Sequence, residues 1–182
     1  MSELVWLLDR GAALTAYPAL YLAVLTGILY NTESFGVLHR AAQRVHIELS
    51  VFAMIVTLLH AGLGLLDTWF VVTGHAPTPA YSPSYFLGGV AVGGGALLLL
   101  VVAVLGFTDA TRFDQPWGPR VVHTFAYGGF VFATLHAAAV GTDLAGLIGP
   151  LLGPTVMFLV YVLLLRLFEP VRKISPDDAI EN

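Results

Sequence analysis

Long runs of apolar residues alternate with short polar connectors along the chain. Five runs of roughly 20 residues, the length that a helix needs to cross the hydrocarbon core, carry little or no interior charge. They lie at residues 12–30, 45–66, 85–107, 121–140 and 147–168. The connectors are rich in Gly, Pro, Asp and Thr. We therefore predict an all-α integral membrane protein: residues 1–168 form a bundle of five transmembrane helices, and residues 169–182 form a short tail.

The composition agrees with this pattern and narrows the chemistry. Hydrophobic residues make up 57% of the 182 residues and charged residues 11%, whereas a soluble domain carries about 25% charged residues. We expect membrane lipid around the bundle and no nucleic-acid partner. The chain has no cysteine, which excludes disulfides, iron–sulfur ligation and thiolate-bound haem or zinc. Any transition metal is therefore expected to be bound by imidazole.

The basic residues predict the orientation, because Lys and Arg in short loops mark the cytoplasmic side. With an extracellular amino terminus, seven of the eight basic residues lie inside, and only Arg10 lies outside. The seven are Arg40, Arg44, Arg112, Arg120, Arg166, Arg172 and Lys173. We predict a multi-pass protein of the cell membrane with its amino terminus outside and its carboxyl terminus in the cytoplasm.

Four histidines lie inside two of the predicted spans, and ionisable residues within lipid usually have a function. His46 and His60 belong to the second span, and His123 and His136 to the fourth. Within each helix the two histidines are about 20 Å apart, too far to share a metal, so ligand pairs must form across helices. The second and fourth spans run in the same direction. Bis-imidazole haem suits this arrangement, with a di-metal site or a proton relay as alternatives.

The helical phase of the two pairs differs. Positions 46 and 60 share a face of an ideal helix, whereas positions 123 and 136 point about 140° apart. Both histidines of the fourth span reach inward only if that helix is irregular, is rotated between the two sites or uses different rotamers at them, and we predict a break or bulge at Gly128–Gly129. Gly128 is also our candidate for close contact with a cofactor, because it lacks a side chain.

The histidine spacing and one sequence motif resemble a known family. The motif is Trp117-Gly118-Pro119-Arg120-Val121-Val122-His123, followed by Tyr127 and Leu135-His136. Together they resemble the ferric reductase-like transmembrane domain, found in NADPH oxidases, metalloreductases and the haem subunit of bacterial methionine sulfoxide reductase systems. The resemblance implies two haem b groups with bis-histidine iron. His46 and His123 would ligate the inner haem, and His60 and His136 the outer haem.

Other polar residues near the predicted inner ends of the spans have two interpretations. Arg40, Arg44, Arg112 and Arg120 could bind the propionates of the inner haem, or they could only set the topology. Glu48 is placed in the first turns of its helix, where the helix dipole favours a carboxylate. A role for Glu48 in proton transfer or at a quinone site is the alternative.

These observations lead to a functional hypothesis. We expect a dihaem b-type cytochrome that relays single electrons across the membrane and has no complete active site of its own. The tail after Phe168 is much shorter than a nucleotide-binding domain, so electrons would pass through other subunits of a redox complex or come from a quinol. The alternatives are a membrane anchor with a structural haem and a stand-alone quinol-linked reductase.

Overall fold

The computed structural model describes residues 2–30, 37–75, 88–108, 118–140 and 153–168. Within these ranges the chain is helical except for a turn at residues 73–75 and Thr124. The helices are α1 (Ser2–Tyr30), α2 (Val37–Val72), α3 (Gly93–Thr108), α4 (Gly118–His123), α5 (Phe125–Val140) and α6 (Gly153–Phe168). A π-helical turn, Gly88–Val92, leads directly into α3. The predicted all-α fold is therefore confirmed for the described residues.

In the described part of the chain, four helical segments are long and apolar enough to cross a membrane. They are Glu3–Tyr30, Ala41–Phe70, Gly88–Gly106 and Gly118–Val140, where the last includes both α4 and α5. The chain is thus a multi-pass membrane protein. The first segment begins before residue 12, the predicted start, because the charges of Asp9 and Arg10 do not interrupt α1. Asp9 consequently lies inside a candidate span.

The predicted fifth span corresponds to α6, which has 16 residues in the described part of the chain. This helix is apolar, but it is shorter than the other four candidate spans. Residues 147–152, with which the predicted span begins, lie outside the described residues. A fifth crossing therefore stays a prediction.

The first four spans form two antiparallel hairpins. In the first hairpin α1 packs along α2, and in the second α3 packs along α4 and α5. The face of α1 that packs in the bundle carries small buried side chains, namely Ala12, Ala16, Ala19 and Ala23. Small residues allow membrane helices to approach closely. The hairpins contact each other through α1 with α5 and through α2 with α3.

The hydrophobic core lies where α1 meets α5 and α6, and it includes one buried residue each from α2 and α3. The ring of Phe130 on α5 stacks on Tyr17 of α1 at a centroid distance of 5.7 Å, and Tyr21 lies against the same ring. The Tyr17 hydroxyl is 3.1 Å from Oγ1 of Thr134 on α5. The Tyr21 hydroxyl donates to the carbonyl of Thr155 on α6 at 3.4 Å. Two tyrosines of α1 thus connect this helix to α5 and α6.

The fourth span is irregular, but the predicted location at Gly128–Gly129 is wrong. The interruption lies at Thr124, directly after His123, and separates α4 from α5. The amide of Thr124 lies 3.1 Å from the carbonyls of both Arg120 and Val121, and the Thr124 hydroxyl also donates to Val121. A hydrogen bond to the carbonyl three residues earlier, as from Thr124 to Val121, is the pattern of a 3₁₀-helix and tightens the helix locally.

Gly128 and Gly129 lie within the continuous helix α5, where they serve packing. A Cβ atom at position 129 would lie 2.8 Å from Cγ of Leu100 on α3, and one at position 128 would lie 3.4 Å from Leu99. The two glycines therefore let α5 approach α3, and they do not interrupt the helix.

Candidate functional site

The four histidines of the predicted spans meet in two pairs across the hairpins. The imidazoles of His46 and His123 have ring centroids 6.0 Å apart, and those of His60 and His136 are also 6.0 Å apart. All four side chains are half-buried. The structure confirms the predicted parallel direction of the two helices and the predicted meeting of these side chains. Their role as metal ligands stays a prediction.

The separation within each pair fits one metal between two imidazoles. A metal–imidazole bond is about 2 Å long, and the ring adds roughly 1 Å between nitrogen and centroid, so two imidazoles on opposite sides of one metal have centroids about 6 Å apart. The ring planes are inclined by 86° in the His46–His123 pair and by 60° in the His60–His136 pair. Rotation about the nitrogen–metal axis leaves the bond length unchanged, so both inclinations are compatible with such a centre.

The backbone of α1 orients His46. Nδ1 of His46 donates to the carbonyl of Ala23 at 2.8 Å. One turn further along α1, Gly27 faces the ring, and a Cβ atom there would lie 2.9 Å from Cε1 of His46. The hydrogen bond fixes the tautomer with the proton on Nδ1 and leaves Nε2 able to bind a metal.

A carboxylate of α1 orients the second histidine of α2. Nδ1 of His60 lies 2.8 Å from Oδ1 of Asp9, and the two side chains are 26% and 21% exposed. Metal-binding histidines usually donate their second ring nitrogen to a carboxylate, a carbonyl or a water molecule. Asp9 and the Ala23 carbonyl therefore have the same structural role at the two ends of α2.

The third span contacts the two histidines of its own hairpin, His123 and His136. The His136 ring lies on Gly93, where a Cβ atom would be 2.9 Å from its Nδ1. The same ring lies against the backbone of Gly88 and Gly89 in the π-helical turn. His123 lies against the backbone of Ala103. In each hairpin, one span carries two histidines and the neighbouring helix packs against their rings.

Sequence reasoning missed this supporting layer. Asp9 was placed outside the first span because of its charge, and Ala23 acts through its carbonyl, which every residue has. One signal was present in the sequence. Asp9 and Ala23 are 14 residues apart, the same separation as His46 and His60, as antiparallel helices with equal rise require.

The arginines with a predicted role at the inner haem lie in different surroundings. Arg44 is 86% exposed, and its Nε atom donates to Oε1 of Glu48 at 2.9 Å. Arg120 is exposed on α4, one turn before His123. The side chain of Arg40 and the whole of Arg112 lie outside the described residues. Propionate binding by these arginines and cofactor contact by Gly128 stay predictions.

The placement of Glu48 in the first turns of its helix is wrong. α2 begins at Val37, so Glu48 lies in the helix interior and pairs with Arg44 one turn away. The helix begins eight residues before the predicted span, because residues 37–44, which were predicted to belong to the connector, are helical.

Among the described residues there is no group of three or more His, Cys, Asp or Glu side chains positioned around one metal ion. Each histidine pair offers two imidazoles. Two is the number of protein ligands that a six-coordinate haem iron takes, since the macrocycle supplies the other four nitrogens.

A protein-family model matches residues 4–143, about three quarters of the chain. Its description is "Domain of unknown function (DUF8596)". The chain belongs to the DUF8596 family. The DUF8596 match includes both histidine pairs together with Asp9, Ala23, Gly27 and Gly93. No curated protein and no solved structure matches the chain.

Proposed function

We propose that this DUF8596 protein is a dihaem b-type cytochrome that relays single electrons between the two faces of the membrane. The observation that carries the proposal is the meeting of two histidine pairs across the hairpins, each with ring centroids 6.0 Å apart. The resemblance to the ferric reductase-like transmembrane domain supports the same ligand sets: His46 with His123, and His60 with His136.

The chain itself positions the ligands. The Ala23 carbonyl and the Asp9 carboxylate accept hydrogen bonds from Nδ1 of His46 and His60, so Nε2 of each ring is directed away from α1. Gly27 and Gly93 leave room for the rings of His46 and His136. A haem whose two axial positions are filled by histidine exchanges single electrons without binding a substrate at iron.

The two pairs lie at different depths of the bundle. His46 and His60 are separated by about 21 Å along α2, because each residue adds 1.5 Å to a helix. The hydrocarbon core is about 30 Å thick, so one pair belongs to each half of the membrane. Centres at two depths support transfer between a donor at one face and an acceptor at the other.

Arginines favour a cytoplasmic location for the His46–His123 end. Arg40 and Arg44 precede His46 on α2, and Arg120 precedes His123 on α4. The positive-inside rule then supports an amino terminus outside and, with the predicted fifth crossing, a carboxyl terminus in the cytoplasm. The donor and acceptor would be other subunits of a redox complex, with quinol as the candidate small-molecule donor.

Haem quantification tests the proposal. Protein purified from a haem-replete host is expected to contain two b-type haems per chain by the pyridine haemochrome assay. His60→Ala and His136→Ala should each lose one haem and retain the other, while the exposed His75→Ala should retain both. Wild-type protein that contains no haem would overturn the proposal, and so would histidine variants that lose none.

A second measurement separates the relay from the alternatives. Rapid mixing with a quinol analogue or with a reduced redox protein should reduce both haems. A structural haem in a membrane anchor would instead resist reduction by either donor. Direct turnover of an added acceptor with quinol alone would indicate a stand-alone reductase.

A further inference from the structure

The two histidine pairs differ in the charge that faces the imidazole of α2. His46 donates to the carbonyl of Ala23, a neutral group, and His60 donates to the side chain of Asp9, a carboxylate. Both distances are 2.8 Å. The two hydrogen bonds are thus equal in length, and their acceptors differ in charge.

The surroundings of Asp9 favour this contact. Gly64 lies one turn beyond His60 on α2, and a Cβ atom there would lie 3.7 Å from Oδ1 of Asp9. Asp9 is therefore directed between the helices, where low polarity strengthens its interaction with a charged centre.

We propose that Asp9 is a positioning residue that lowers the reduction potential of the centre at His60–His136 relative to the centre at His46–His123. This inference rests on the proposed function. A carboxylate that accepts a hydrogen bond from the second nitrogen of a ligating imidazole makes that imidazole more basic. The more basic ligand stabilises the oxidised metal, which carries the higher positive charge. A backbone carbonyl does so less, because it carries no net charge.

The inequality gives the relay a preferred direction. An electron shared between the two centres resides preferentially at the His46–His123 end, which has the higher potential. Electron transfer from the His60–His136 centre, next to Asp9, to the His46–His123 centre, next to Ala23, is therefore energetically favourable. With the orientation proposed above, this direction is from the outer face to the cytoplasm.

Potentiometric titration of the haem-loaded protein tests the role of Asp9. Asp9→Asn keeps the size of the side chain and removes its charge, so the potential of the His60–His136 haem should rise while the other potential stays unchanged. The haem signal that is absent from His136→Ala identifies the affected centre. Asp9→Glu should restore a potential close to that of the wild type.

Glu3→Gln is the matched control, because it removes a carboxylate from an exposed position on the same helix. Its two potentials should equal those of the wild type. Unchanged potentials in haem-loaded Asp9→Asn would overturn the inference and leave the proposed function intact. Wild-type protein without haem would instead overturn the proposed function.

If Asp9→Asn does not bind the His60–His136 haem, the test is made on the wild-type protein instead. Redox difference infrared spectra of protein labelled with ¹³C-aspartate should then show a carboxylate band that changes when the His60–His136 haem is reduced. Absence of that band in the loaded protein would overturn the inference.

Discussion

Gly93 on α3 lies directly against the imidazole of His136 on α5, so that a Cβ atom at position 93 would be 2.9 Å from Nδ1. The ring is half-buried. This contact predicts that Gly93→Ala displaces His136 and lowers haem content from two per chain toward one. Changes next to a metal ligand commonly reduce metal affinity roughly 10–100-fold.

The control for this prediction is Gly94→Ala, because nothing lies within 4 Å of a Cβ atom at that exposed position. Both variants should be measured by pyridine haemochrome after purification in the same detergent. Full haem content in Gly93→Ala would contradict the packing described here.

Gly27 on α1 has the corresponding contact with His46. A Cβ atom there would lie 2.9 Å from Cε1 and 3.1 Å from Nδ1 of the ring. We expect Gly27→Ala to weaken binding at the His46–His123 centre and to spare the other centre. The measurement is a redox difference spectrum of Gly27→Ala combined with His136→Ala, compared with His136→Ala alone. The His136→Ala background retains only the His46–His123 centre, so its haem signal reports that centre. Gly11→Ala on the same helix is open to solvent or lipid and should behave as the wild type.

Gly128 and Gly129 offer a comparison between adjacent positions. A Cβ atom at position 129 would lie 2.8 Å from Leu100 and 3.2 Å from the carbonyl of Ala96, and backbone atoms do not move aside easily. Gly129→Ala should therefore destabilise the α3–α5 packing by about 1–3 kcal/mol. Gly128→Ala meets only the end of the Leu99 side chain and should cost less.

Thermal denaturation and haem content should be recorded for both of these variants. If Gly128 contacts the cofactor, as the sequence predicts, Gly128→Ala loses haem without a matching loss of stability. Equal stabilities of the two alanine variants would argue against the described helix contact.

The hydrogen bond between Tyr17 and Thr134 joins α1 to α5 at 3.1 Å. Tyr17→Phe keeps the ring stacked on Phe130 and removes the hydroxyl, so we expect a loss of about 0.6 kcal/mol, an average value for such bonds in membranes. Unfolding in mixed detergent micelles measures the change, with the exposed Tyr161→Phe as the control. A loss of several kcal/mol would show that the hydroxyl has a further role.

The absence of cysteine makes the proposed topology directly testable. Single-cysteine variants His75→Cys and Arg44→Cys place a thiol at exposed positions near opposite ends of α2. In right-side-out vesicles, a membrane-impermeant maleimide should label position 75 and should label position 44 only after permeabilisation. The reverse pattern would invert the proposed orientation.

The sequence predicted the helical class, four of the candidate spans and the meeting of the four histidines. These features follow from length, hydropathy and helical rise, which are local properties of the chain. The site of helix irregularity was predicted less well. Glycine suggested a break at Gly128–Gly129, whereas Thr124 interrupts the span by bonding to the preceding turn.

The groups that orient the histidines were beyond sequence reasoning for a different reason. Ala23 contributes a carbonyl, and Gly27 and Gly93 contribute the absence of a side chain. Neither property distinguishes these residues from other alanines and glycines in the chain. Their roles depend on the rotation of α1 about α2 and of α3 about α5, which composition and periodicity do not determine.

The order of the hairpins along the chain separates them in time during biosynthesis. α1 and α2 leave the ribosome first, with Asp9 and Ala23 available to bind His60 and His46. The partner histidines of α4 and α5 follow only after α3. Each pair of imidazoles is therefore complete only after the second hairpin has packed on the first, so a cofactor held by His46 and His123 or by His60 and His136 would be enclosed late in assembly.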